Sequence, residues 1–135
     1  MRYFDSDVLV HYFVNYEPIK HQQAQKLVKE AVDEGLFYIS LLSVQETTFA
    51  MAKLREPLFE INEAFKQLLL TKPVAYEIID FQRASQLAQH LGFQNINDCL
   101  HTALAEAHNC TELITYNRKD FVRIQPHSGL KITIL

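Results

Sequence analysis

A short apolar run that closes on an aspartate constrains this chain more than any other stretch: RYFDSDVLV, Arg2 to Val10. Tyr3 and Phe4 lead into Asp5, and a second apolar run begins after Ser6 and Asp7. The pattern predicts a buried strand that stops at Asp5, then a short helix over Val8 to Val14 with Asp7 in its first turn. Ligands of open parallel α/β sheets gather beyond the carboxyl ends of the strands, so Asp5 is a candidate site residue by position alone.

The remaining chain repeats that alternation. Pro18 suits the first turn of a helix over Ile19 to Val32, ended by Gly35. Leu36 to Ile39 reads as a second strand. Ser43 and Glu46 have capping-box spacing and are expected to open a helix reaching Leu54. Beyond Pro57, Leu58 to Leu70 gives a helix with Phe59, Phe65, Leu68 and Leu69 as its apolar side. Val74 to Ile79 follows Pro73 as a third strand, and Asp80 is expected to cap a helix ending at Gly92. Asn95 to Asn97 approach a helix from Asp98 to His108, with Cys99, Leu100, Ala103, Leu104 and Ala107 inward. A fourth strand around Leu113 and Ile114 ends near Tyr116, Arg118 to Phe121 forms a loop or short turn, and Lys131 to Leu135 is a fifth strand. Strands separated by helices call for one three-layer α/β/α domain over residues 1–135, with a mostly parallel five-stranded sheet covered on both faces.

Composition narrows the function classes. The 135 residues are 48% hydrophobic and 21% charged, as in a soluble protein with a single core. No stretch has the length or polarity of a membrane span or secretory leader. Cys99 and Cys110 are too few for a disulfide framework, and a reducing cytoplasm is the expected location. A formal charge of −3 argues against nucleic-acid binding through global charge. It leaves room for a nucleic-acid enzyme whose carboxylates hold a metal, because the ion reverses the local sign.

Four acidic residues fit the edge that Asp5 marks. Glu46 and Asp98 fall in the opening turns of helices, and Asp120 follows the fourth strand. Each has an ordinary alternative: Glu46 in a capping box, Asp98 as a first-turn acid held ionised by the helix dipole, Asp120 in a turn. Converged, four like charges repel by about 1 kcal/mol per pair even at the dielectric of water. A hard divalent cation relieves that repulsion, and oxygen donors without histidine or thiolate suit Mg²⁺ or Mn²⁺. The histidines, including His11, His21, His101 and His108, form no close metal-spaced pair and are not read as ligands.

Taken in order, DSDVLV, SVQE, NDCLHTALA and TYNRKDF resemble the motifs of the PIN-domain nucleases, and most of all the VapC-like ribonuclease toxins of toxin–antitoxin pairs. The resemblance covers the whole chain. It implies that Asp5, Glu46, Asp98 and Asp120 are the acidic metal ligands and catalytic residues, supported by Ser6, Thr115 and Asn117. Asp7 stands where asparagine is commonest, as a helix cap or an added charge beside the site. The resemblance also implies Mg²⁺- or Mn²⁺-dependent hydrolysis of an RNA substrate, silencing by a cognate antitoxin, and a homodimer. In such proteins the helical pair around Phe49 to Ile61 looks outward, although as a sequence that run reads more readily as core. Arg118, Lys119, Lys53 and Arg55 are candidate RNA-backbone contacts.

Two other functions fit part of the pattern. Asp5 and Asp7 at a strand end, with Ser40 after the second strand, are similar to the opening motifs of haloacid-dehalogenase-like phosphatases. A PIN-fold module that binds RNA or protein without cleavage would keep the sheet, but would not need all four acids.

Overall fold

The computed structural model describes residues 1–135. Four parallel strands, β1 (Arg2–Phe4), β2 (Phe37–Tyr38), β3 (Glu112–Thr115) and β4 (Lys131–Ile134), lie in the order β2-β1-β3-β4. Arg2, Tyr3 and Phe4 pair in register with Glu112, Leu113 and Ile114. Successive strand residues point to opposite faces. Tyr3 and Leu113 therefore enter one core with Leu87, Leu100, Leu104 and Phe121, whereas Phe4 and Ile114 enter another with Leu9, Ala24 and Val28.

Seven helices supply the two outer layers: α1 (Ser6–Phe13), α2 (Pro18–Asp33), α3 (Leu41–Lys53), α4 (Leu58–Leu70), α5 (Ile78–Leu91), α6 (Ile96–Ala107) and α7 (Arg118–Ile124). Pro18 sits in the first turn of α2, where its missing N–H costs nothing. The chain leaves α2 through Gly35 at φ +68°, a left-handed conformation that a side chain would disfavour. Both cysteines are buried free thiols. No helix is long and apolar enough to cross a membrane.

Several expected boundaries move. The third strand reduces to one parallel bridge, Val74 with Ser40, so the sheet has four strands rather than five. A capping box between Glu77 and Asp80 starts α5 at Ile78, which removes the rest of that apolar run from the sheet edge. Asp80 is thus the third helical residue, and its carboxylate accepts the Glu77 N–H at 2.8 Å. Likewise α3 is opened by Ser40 with Ser43, not by Ser43 with Glu46, leaving Glu46 in the second turn. Arg118 to Phe121, expected as a loop or turn, belongs to α7. Ala107 is exposed on α6. On α4 the buried residues are Ala64 and Leu68, while Phe59, Phe65 and Leu69 face outward.

Candidate active site

Asp5 is the first residue beyond β1, and the Asp5 backbone N–H still reaches Ile114 O at 3.0 Å. It is also the cap of α1: Oδ1 accepts the Ser6 N–H at 2.8 Å, and Oδ2 accepts the Thr115 hydroxyl at 2.8 Å. The carboxylate thus joins the ends of two neighbouring strands. Burial raises its pKa, opposed by His101 and Thr115 and reinforced by Glu46.

Glu46 reaches the same edge from α3. Ser6 Oγ donates to Oε1 at 3.1 Å, Asn97 Nδ2 donates to Oε2 at 3.0 Å, and His101 Nε2 is hydrogen-bonded to Oε1. Burial alone would raise the Glu46 pKa; the hydrogen bond and charge of His101, with Ser6 and Asn97, hold it below the usual value. His101 Nε2 also lies 3.6 Å from Asp5 Oδ1. Asp5, Glu46 and His101 offer potential ligand atoms all within 4.8 Å of one another.

Asp98 and Asp120 enter from α6 and α7. Asn117 caps α7 by accepting the Asp120 N–H at 3.2 Å, and its Nδ2 donates to Asp120 Oδ2 at 2.9 Å and Asp98 Oδ2 at 3.4 Å. The Asp98 carboxyl is pushed up to about 7 by burial first, then by Asp5, with further contributions from Asp120 and Glu46 against the opposing charge of His101. This corrects the expectation that the helix dipole keeps Asp98 ionised: a first-turn dipole contributes at most about 2 kcal/mol, and burial among three carboxylates outweighs it.

Asp7 does not cap α1. Its two oxygens accept the Tyr116 N–H at 3.1 and 3.2 Å, pinning the turn after β3, and burial followed by the Asp5 charge pushes its carboxyl to about 8. Thr115 Oγ1 lies 3.3 Å from Asp7 Oδ2, but its single proton serves the nearer Asp5. Protonated Asp7 can donate to the same hydroxyl, which also accepts the Asn117 N–H at 2.9 Å.

The chain matches the family model "PIN domain" over residues 2–125. It is a PIN domain. No curated protein matches it in sequence. In fold, this PIN domain is similar to VapBC2 from Rickettsia felis, solved bound to a DNA fragment from their promoter, with a TM-score of 0.65, 19% identity and coverage of 100% of this chain and 99% of that one. It is also similar to FitAcB from Neisseria gonorrhoeae, with a TM-score of 0.66, 14% identity and coverage of 98% and 96%.

The PIN domain holds one polar network that sequence spacing did not reveal. Tyr3, Ser40, Ser43 and His101 are all fully buried. Tyr3 Oη lies 2.7 Å from His101 Nδ1, 2.7 Å from Ser40 Oγ and 3.2 Å from Ser43 Oγ. Burial would lower the His101 pKa, but Tyr3, Glu46 and Asp5 together raise it well above the ordinary value. Reading oxygen donors alone therefore omitted a histidine inside the acidic group. Its only sequence trace is the helical offset of three residues that puts Asp98 and His101 on one face of α6. Ser40, the residue shared with the phosphatase pattern, is spent on this network and on the α3 cap. Of the candidate RNA contacts, Lys53 lines a cavity beside Ser6 and Asp7, and Arg118 and Lys119 are exposed in the first turn of α7 next to Asp120. Arg55 is exposed past the end of α3 at φ +60°.

Proposed function

We propose that this PIN domain is a Mg²⁺- or Mn²⁺-dependent endoribonuclease and the toxin of a toxin–antitoxin pair. The observation that carries the reading is that Asp5 and Glu46 offer ligand atoms within 4.8 Å of each other, with Asp98 near enough that the charges of Asp5, Asp120 and Glu46 add to the burial that raises it to about 7. The donor set fits a hard divalent ion held by carboxylate oxygens. His101 has both ring nitrogens engaged, so its role is to orient Glu46 rather than to ligate.

When bound, the ion supplies charge neutralisation at phosphorus and a water acidic enough to attack near neutral pH. The protein residues supply position. Ser6, Asn97 and His101 fix Glu46; Thr115 and Ser6 fix Asp5; Asn117 holds Asp98 and Asp120 together. Lys53, beside Ser6 and Asp7, and the exposed Arg118 and Lys119, next to Asp120, are the cations on offer to a phosphate backbone, with no protein nucleophile required. The resemblance to VapC-like toxins supports an antitoxin partner, a homodimer and a cytoplasmic setting.

The test is cleavage of a mixed single-stranded RNA pool by purified protein. Activity should require Mg²⁺ or Mn²⁺, stop with EDTA, and fall on the order of 100-fold or more in Asp98→Asn. Cleavage that survives EDTA, or metal binding without cleavage of any RNA, would overturn the assignment. A phosphatase would instead lose activity in Asp7→Asn, which a PIN nuclease should tolerate.

A further inference from the structure

Beside the acidic edge, between α1 and α3, lies an open cavity of about 330 Å³ with Ser6, Asp7, Val10, Tyr16, Lys53 and Leu54 in its lining. It is continuous with the carboxylate group: Ser6 lines it and donates to Glu46, and Asp7 lines it and backs onto the turn after β3. We propose that this cavity is a subsite for one nucleobase of single-stranded RNA, next to the phosphodiester that is cut and stacked on Tyr16. The proposal rests on the ribonuclease reading.

Tyr16 lies in the loop between α1 and α2, 48% exposed. Its inner side is fixed on His11, with ring centroids 4.7 Å apart and planes 12° from parallel, and Tyr16 Oη is 3.2 Å from His11 Nε2. His11 is itself buried and meets the edge of Tyr116 at 5.0 Å and 68°. The outer ring of this stack is thus held in place before any ligand arrives, and binding a flat π-face there costs little further ordering.

The rest of the lining matches a nucleotide. Val10 and Leu54 give apolar contact for the ring. Lys53 makes no ion pair with the protein and lies over the exposed Phe49 ring, 5.5 Å from its centroid, so its charge is available to a phosphate. Asp7 Oδ1 accepts one N–H, from Tyr116, and this oxygen, an acceptor whether or not Oδ2 is protonated, has room for a second, which a base N–H supplies. A backbone passing from Lys53 toward Ser6 then delivers its phosphate to the carboxylates.

The decisive experiment uses fluorescence anisotropy in Mg²⁺ with the Asp98→Asn protein, to stop cleavage. A labelled single-stranded RNA is compared with a strand of the same length whose central nucleotides lack bases. The base-bearing strand should bind more tightly; adding Tyr16→Ala should weaken it by on the order of tenfold or more and leave the abasic strand unchanged. Tyr16→Phe should keep the preference, and Lys53→Gln should weaken both strands alike and lower the salt dependence. If Tyr16→Ala weakens both strands equally, or neither, the cavity is not a base subsite, which is also the outcome if it takes a side chain of a protein partner. No RNA binding overturns this proposal together with the ribonuclease reading. Cleavage by the unaltered protein with Tyr16-insensitive binding overturns the subsite alone. Base-dependent, Tyr16-dependent binding without cleavage by the unaltered protein would leave a base-binding cavity but overturn its place beside a cut phosphodiester, together with the nuclease reading.

Discussion

His101 and Asp98 define how the site manages its charge without metal. The raised pKa of His101 favours an imidazolium that offsets one carboxylate, and below about pH 7 a proton on Asp98 removes another negative charge. Metal binding must displace the Asp98 proton, so affinity should rise as pH passes upward through about 7. Mn²⁺ titrations by calorimetry should show several-fold tighter binding at about pH 8 than at about pH 6, with proton release detectable in buffers of different ionisation enthalpy. A pH-independent affinity would contradict the place given to Asp98. His101→Gln should weaken Mn²⁺ binding by about 10- to 100-fold, because Glu46 loses the group that orients it. Tyr3→Phe should weaken it less, since Ser6 and Asn97 still hold Glu46. A purely packing role for His101 would lower stability and leave the metal affinity unchanged.

Helix starts decide where the side chains of this site fall. Ser40 begins α3 three residues before Ser43, and this frame sends Glu46 from the second turn toward Ser6 and Asn97. Ser40→Ala removes the cap and a partner of the buried Tyr3 hydroxyl, and should cost about 1–2 kcal/mol in urea unfolding. Leu104→Ala on α6 opens the packed core beneath the site and should cost about 2–5 kcal/mol. β1, α1, α2 and β3 were legible because their apolar runs have one period and end in clear stops: Asp5, Pro18, Gly35, Tyr116. The Val74–Ile79 run was not, because five of its six residues are hydrophobic and local pattern cannot tell a buried strand from a helix start whose cap, Glu77, lies inside the run. Two serines and a glutamate at Ser40, Ser43 and Glu46 offered two capping frames; burial of Ser40 and Ser43 against Tyr3 selects one. For the candidate site, the places of Asp5 after β1 and of Asp98 and Asp120 in the first turns of α6 and α7 were readable, whereas Glu46 falls one turn deeper in α3 than its capping-box spacing suggested. Tyr3 and His101 were not, because a contact between residues 98 apart depends on the packing of α6 on the sheet.

For the molecule as a whole, the buried acids make stability depend on pH. Asp98 and Asp7 rise from 3.8 to about 7 and about 8, so between about pH 4 and those values the folded chain keeps protons that the unfolded chain has released. Their contribution is complete at low pH and is lost as pH rises. The raised His101 pKa acts in the same direction above its ordinary value of 6.5. Metal-free protein should therefore melt several degrees lower at about pH 8 than at about pH 5, and millimolar Mn²⁺ should recover much of the loss. Equal melting temperatures with and without Mn²⁺ would argue against a metal site here. The strand order has a consequence in time. β3, which carries Thr115 and leads to Asn117 and Asp120, is inserted between β1 and β4 although it is made long after β1. A growing chain that has passed Glu46, or even Asp98, still lacks the central strand and the residues that gather its acids. If the fold cuts RNA, the ribosome therefore finishes nearly all of the polypeptide before it has made anything able to attack a transcript.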